Sequence, residues 1–324
     1  MPVLTPTRVS GRAPSGSNGE AKGAREKSSQ VDSSAKTVLC SLLNAGVQLW
    51  KNEEGGLAYR AGTATLDKDL REAARHHRGQ LLDLLEPGCR YAPCSFAQQR
   101  LWFLHNLYPE SNAYNLGLAL EIKGAMCRAS FQRGLRRLLE RQEALRTSFV
   151  AFDGQPVQRI SEVITRLPLL EVDLTGLSES QQETQRLRWR NGETTRPFNL
   201  EEEGLFRACL LHVSEECHEL VLALHHAVTD GWSMQILMQE LSQYYAEEAQ
   251  GAQLPAEPLP LQYGDYAAWQ RSWLEGEELD NQLAYWIQHL QGAAHLELPV
   301  DHPETTGSQP IGDWGTMFSR DVTE

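Results

Sequence analysis

The stretch "HELVLALHHAVTDGWSM" constrains the fold of this chain more than any other. Its centre, Leu220–Leu224, is apolar without a break. A short run with no alternation is what a strand covered on both faces requires. The chain is therefore read as α/β, with layers on both sides of a sheet. The run stops at His225 and His226, and Asp230 and Gly231 follow soon after. Side chains alternate along a strand, so the two histidines point to opposite sides. One can face a cavity, and the other is buried or orients the loop. That geometry also keeps both from easily sharing one metal ion. Gly231 permits a tight turn and close approach of a ligand, and Ser233 can cap the next helix. A histidine titrating near about pH 6.5, at a strand-to-helix transition, suits acyl or proton transfer. The plain alternative is a core histidine pair followed by an Asp-Gly turn.

The rest of the chain falls into three parts. Residues 1–33 are rich in Ser, Gly, Pro and Arg and are expected to be disordered, because they bury too little to offset ordering entropy. Residues 34–86 read as a small αββαα unit. Val38, Leu39, Leu42 and Leu43 have helical spacing before Gly46, and Val47 and Leu49 share a hairpin face with Leu57 and Tyr59. Thr65 can cap the first of two further helices. A linker, "PGCRYAP", leads to residues 91–324, one α/β unit with a mixed open sheet and flanking helices. In it Phe131, Leu135, Leu138 and Leu139 line one helix face. Met234, Leu237, Met238, Leu241, Tyr244 and Tyr245 line another. The 34–86 unit reads as separable, so its removal should leave residues 91–324 folded.

Composition narrows the functional classes. A net charge of −13 over 324 residues argues against a nucleic-acid partner. No run is long enough to span a bilayer, and the N-terminus lacks a secretory apolar core. Cys40, Cys89, Cys94, Cys127, Cys209 and Cys217 have no CxxC spacing and read as reduced thiols, so the chain is expected in the cytoplasm.

The histidine stretch does not stand alone. "HHAVTDG" carries the HHxxxDG signature, and "SFAQQRLWFL" (Ser95–Leu104), "RQEALRTSF" (Arg141–Phe149) and "YGDYAAW" (Tyr263–Trp269) accompany it in order. Together they resemble the condensation domains of nonribosomal peptide synthetases, which have a chloramphenicol acetyltransferase-like fold. The resemblance implies amide-bond formation between a carrier-bound acyl or peptidyl thioester donor and a carrier-bound aminoacyl acceptor. It implies no cofactor of the chain's own, with phosphopantetheine arriving on partner carrier proteins. His226 is the histidine expected to face the tunnel, as general base or as the group that positions the amine. Gly231 is a candidate oxyanion donor. Asp230 is read as a buried structural carboxylate paired with Arg146, and Arg141 as a further internal salt-bridge former. Gln142 stands where the family's second motif usually has His and is read as lying outside the reacting centre. The intact His pair argues against the heterocyclising relatives, which carry an Asp-based motif.

Other features have two readings. Arg133, Arg136, Arg137 and Arg141 form a basic stripe, either a solvated face or a surface for an acidic carrier. Tyr263, Tyr266, Trp269 and Trp273 read as core aromatics, and His76 and His77 as exposed and inert. The 34–86 unit resembles tubulysin-type N-terminal docking domains through "LLNAGVQLW", "GGLAYRA" and "LREAARHHRGQLLDLL". That implies an upstream synthase's C-terminal peptide added to the hairpin edge, with Lys51 and Arg60 meeting its acidic residues. The rivals are an epimerisation-type domain sharing HHxxxDG, a non-catalytic docking fragment and a standalone acyltransferase. Residues 91–324 resemble one lobe of the two-lobed family domain, with "LPVDHPETTGSQP" as the connection onward. The chain by itself is therefore expected to turn over little.

Overall fold

The structure, a computed structural model, describes residues 33–61, 66–202, 204–252 and 254–294. The expectations for residues 1–32, for Thr65 and for the connection at 298–310 fall outside them. In chain order the first elements are α1 (Ser33–Asn44), β1 (Val47–Lys51), β2 (Leu57–Ala61), α2 (Lys68–His76), α3 (Arg78–Leu84) and β3 (Cys89–Pro93). Next come α4 (Phe96–Leu107), β4 (Asn115–Lys123), α5 (Arg128–Arg141), a 3-10 turn (Glu143–Arg146), β5 (Thr147–Phe152) and β6 (Gln155–Ser161). Then follow β7 (Leu169–Asp173), α6 (Glu179–Thr195), β8 (Phe206–Ser214), β9 (Cys217–His225), α7 (Gly231–Ala249), α8 (Tyr263–Trp273) and α9 (Gly276–His289).

The αββαα order of the N-terminal unit is present. Helix α1 buries Leu39, Leu42 and Leu43 and ends near Gly46, whose φ of 77° suits glycine. Leu49 lies opposite Tyr59 in the hairpin. Asp67 caps α2 through the N–H of Asp69. His76 is exposed with its ring edge-on to His77 at 4.8 Å, and His77 is half-buried and bonded to Gln80 at 2.7 Å, so His77 is not inert.

The linker reading fails. "CRYAP" is strand β3, buried along its length, paired with β1 on one side and β6 on the other. The N-terminal unit and the larger one thus build a five-stranded antiparallel sheet together, in the order β2-β1-β3-β6-β5. A buried arginine hid this strand from a pattern reading. Arg90 is 5% exposed only because Gln48 and Glu143, remote in sequence, receive its guanidinium. The β5–β6 hairpin turns at Asp153 and Gly154, which supply its two positive φ angles, 49° and 78°.

A second sheet, not the single one expected, carries the apolar run. Its order is β4-β9-β8-β7, with β7 and β8 parallel and the other pairs antiparallel. One face packs on α5 and α7 through Leu135, Leu139, Leu222, Leu224, Leu237 and Leu241. The other face, with Cys209, Leu211 and Val221, meets Trp189 of α6. This double cover is what Leu220–Leu224 requires.

The basic stripe is divided between solvent and internal ion pairs, with Arg133 and Arg136 exposed and Arg137 buried. Arg133 and Arg137 reach Glu248 and Glu247 of α7 at 2.6–3.3 Å, and Arg141 reaches Glu240 at 2.9 Å. Arg136 donates to the Ile164 carbonyl. The aromatics of α8 are not core either. Tyr263, Tyr266, Trp269 and Trp273 are 37–49% exposed. The helix buries its small face, Gly264, Ala267 and Ala268, instead. A Cβ on Gly264 would sit 3.3 Å from the Ala92 side chain, so the rings have no room on that side. Among the described residues no helix is long and apolar enough to cross a membrane, and none of the six cysteines is in a disulfide.

Candidate active site

Strand β9 ends at His225, and the next five residues lead into α7. His225 is 4% exposed. Its Nδ1 accepts the N–H of Ala227 at 3.1 Å, and the rings of His105, Tyr114 and Phe198 surround it at 6.1–6.4 Å. Burial, and then the neighbouring His105 and His226, push its pKa down to about 4. It is neutral at pH 7 and orients the loop. His226 points the other way, as alternation requires. It is exposed, its backbone N–H donates to the Tyr114 carbonyl at 2.8 Å, and its ring lines a cleft of about 580 Å³. Leu145, Ile236 and Leu237 give the cleft apolar walls, while Arg100, Asp230 and Glu240 bring charge to it.

Asp230 reaches the cleft but is not a buried partner of Arg146. It is exposed and caps α7, accepting the Ser233 N–H at 2.7 Å and the Ser233 hydroxyl at 2.6 Å. These bonds hold its carboxyl below the usual range. Ser233, expected as the cap, is the donor. Arg146 donates instead to the carbonyls of Leu139, Glu140 and Ser161. A local cap satisfies a helix terminus without help from a remote arginine. Asp230→Ala is therefore expected to cost about 1 kcal/mol, the usual worth of an N-cap. Denaturant unfolding measures it, and a loss above about 3 kcal/mol would restore the buried-pair reading.

Gly231 is the first residue of α7 and does not line the cleft. Its φ is not positive, and a Cβ there would meet nothing within 4 Å, so no tight turn demands glycine. Arg141 is the salt-bridge former expected, holding Glu240. Gln142 overturns its expectation. It lines the cleft, and its Nε2 donates to the other Glu240 oxygen at 2.8 Å.

One residue of the site escaped the sequence reading. Gln98 is 2% exposed, and its Nε2 donates to the carbonyl of Ala227 at 3.1 Å and to Gln158 at 3.2 Å. It ties α4 to the loop that carries His226. The Ser-x-x-Gln capping box at Ser95 and Gln98 was legible in "SFAQ". The reach to Ala227, far along the chain, was not.

The family model for condensation domains matches residues 90–314. The chain belongs to the condensation-domain family. A linear gramicidin synthase of Brevibacillus parabrevis is 44% identical over 241 residues, 74% of this chain and 3% of its own length. Malpinin synthetase of Mortierella alpina is 41% identical over 233 residues, 71% of this chain and 3% of its own length. The starter condensation domain of rhizomide synthetase superposes with a TM-score of 0.57 at 24% identity, over 63% of this chain and 48% of that one. The first condensation domain of the calcium-dependent antibiotic synthetase does so at 0.56 and 23%, over 63% and 49%. The chain thus spans a few per cent of these curated relatives and about half of these solved domains. At such identities the structural matches establish the fold.

Proposed function

We propose that this condensation domain joins a carrier-bound acyl or peptidyl donor to a carrier-bound aminoacyl acceptor. The observation that supports the reading is that His226, and not His225, opens onto a cleft with apolar walls. In the reaction the acceptor's amine nitrogen attacks the donor's thioester carbonyl. The C–N bond forms, the C–S bond breaks, the amine gives up a proton and the departing thiolate takes one. His226 holds or takes the amine proton. The phosphopantetheine arms that carry both groups belong to the partner carriers and enter the cleft as parts of the substrates. Glu240 stays fixed by Arg141 and Gln142 in the wall.

The test is single-turnover product formation with loaded donor and acceptor carriers and this chain in excess. An open cleft admits water that screens the site, so the rate is slow and single-turnover conditions are the right ones. His226→Ala is expected to lower the rate about 100-fold. Its melting temperature should stay within about 2 °C, as for other exposed substitutions. Product formation indifferent to His226 would overturn the reading.

The upstream partner is an acidic, extended C-terminal peptide. Among the described residues strand β2 is the outer strand of its sheet, and Tyr59 and Arg60 are exposed on it, with Arg60 within 3.5 Å of Asp265. Strand addition gives such a peptide its main-chain bonds, and Arg60 with Lys51 gives it charge complementarity. Arg60→Glu should weaken binding about tenfold in a fluorescence titration. An affinity unchanged by the charge reversal would place the peptide elsewhere.

A further inference from the structure

A closed ring of polar contacts joins the N-terminal unit to the wall of the cleft. Gln48 of β1 is 2% exposed, and its Nε2 donates to Asp265 at 2.7 Å. The other Asp265 oxygen accepts the N–H of Gln262 at 2.9 Å. Gln262 then grips the motif that begins at Arg141. Its Nε2 donates to the Arg141 carbonyl at 2.8 Å, and its Oε1 accepts the Glu143 N–H at 3.3 Å. The Glu143 carboxylate pairs with Arg90, and Arg90 donates to Gln48, which closes the ring. Gln142 sits between the two gripped residues. Gln142, Gln262 and Glu240 all line the cleft that His226 faces.

We infer that Gln48, a residue outside the matched family region, is a positioning residue for the wall of the cleft that His226 lines. This rests on the proposed reaction only for its kinetic consequence. The physical reason is satisfaction. Gln48 is buried with a donor and an acceptor in use, and both ends lead to the Arg141–Glu143 segment. Buried polar groups linked in a ring fix one another's arrangement, and one broken link leaves the others under-determined. The ring sets the wall and does not touch His226, so it governs how a substrate is held more than the reacting histidine. Loss of such binding raises the half-saturating concentration and leaves the maximal rate near its value.

The test uses Gln48→Glu in the full chain. The variant keeps an acceptor for Arg90 but loses the donor for Asp265, and sets two carboxylates face to face. Adding Asp265→Asn restores a donor–acceptor pair with its direction reversed, and keeps an acceptor for Gln262. In nitrogen-15 spectra the side-chain amide signals of Gln142 and Gln262 should move in Gln48→Glu and return in the double variant. The acceptor-carrier concentration for half-maximal single-turnover rate should rise about fivefold, with the plateau within about twofold, and should recover likewise. Should Gln48→Glu fail to fold, Gln48→Met removes both of its links in the ring and tests the same role. Unmoved Gln142 and Gln262 signals in a folded variant would overturn the positioning role. A wild-type chain that forms no product would overturn the proposed reaction instead, and the amide signals would still decide the role of Gln48.

Discussion

Deleting residues 1–86 is expected to leave a chain that no longer holds together as a monomer. The sequence alone suggested the opposite, because the unit has its own helices and hairpin. The structure shows why it cannot be lifted out. Tyr91 and Val157, 1% and 3% exposed, lie in one apolar cluster with Leu39, Leu43, Val47, Leu49 and Leu81 of the N-terminal unit. Uncovering these two side chains costs roughly 5 kcal/mol at about 1.5–3 kcal/mol each. For a chain of this size that is a fall in melting temperature of about 10–20 °C. Strand β3 would also lose β1, its partner at Tyr91 and Arg90, and present a bare edge to other molecules. Calorimetry and size-exclusion chromatography of residues 87–324 measure both effects. A monomer melting with the full chain would show that the two units fold independently after all.

The adjacent histidines should behave oppositely when truncated. His225→Ala removes a ring packed among three others and leaves the Ala227 N–H without its acceptor. That should cost about 3 kcal/mol at pH 7, against almost nothing for His226→Ala. The penalty should also depend on pH. Folding lowers the His225 pKa from 6.5 to about 4. Between those values the unfolded chain binds more protons than the folded one, so stability rises with pH. The contribution is complete above pH 6.5 and is lost as the pH falls to 4. Across that window wild type should lose about 3 kcal/mol relative to His225→Ala, and the two curves should converge. Urea unfolding at several pH values checks this. A constant gap would mean that His225 is not held neutral by burial, and a larger loss for His226→Ala would reverse the facing of the strand.

Much of this condensation domain was legible in the residues. The unbroken run Leu220–Leu224 required a doubly covered strand. Alternation separated His225 from His226, and four motifs in order named the family. Such features depend on local periodicity or on short spacing, which a sequence displays directly. Tertiary structure decided the rest. Arg90 could enter a core strand only because Gln48 and Glu143 receive it, and "CRYAP" therefore looked like a linker. Asp230 needs no distant arginine, because Ser233, three residues on, satisfies it. The α8 rings looked like core because aromatics usually are, yet Gly264 and Ala268 took the buried side. Gln142 and Gln98 entered the site through Glu240 and Ala227, partners far along the chain. Where a polar group sits depends on which remote groups meet it, and that pairing exists only once the chain has closed on itself.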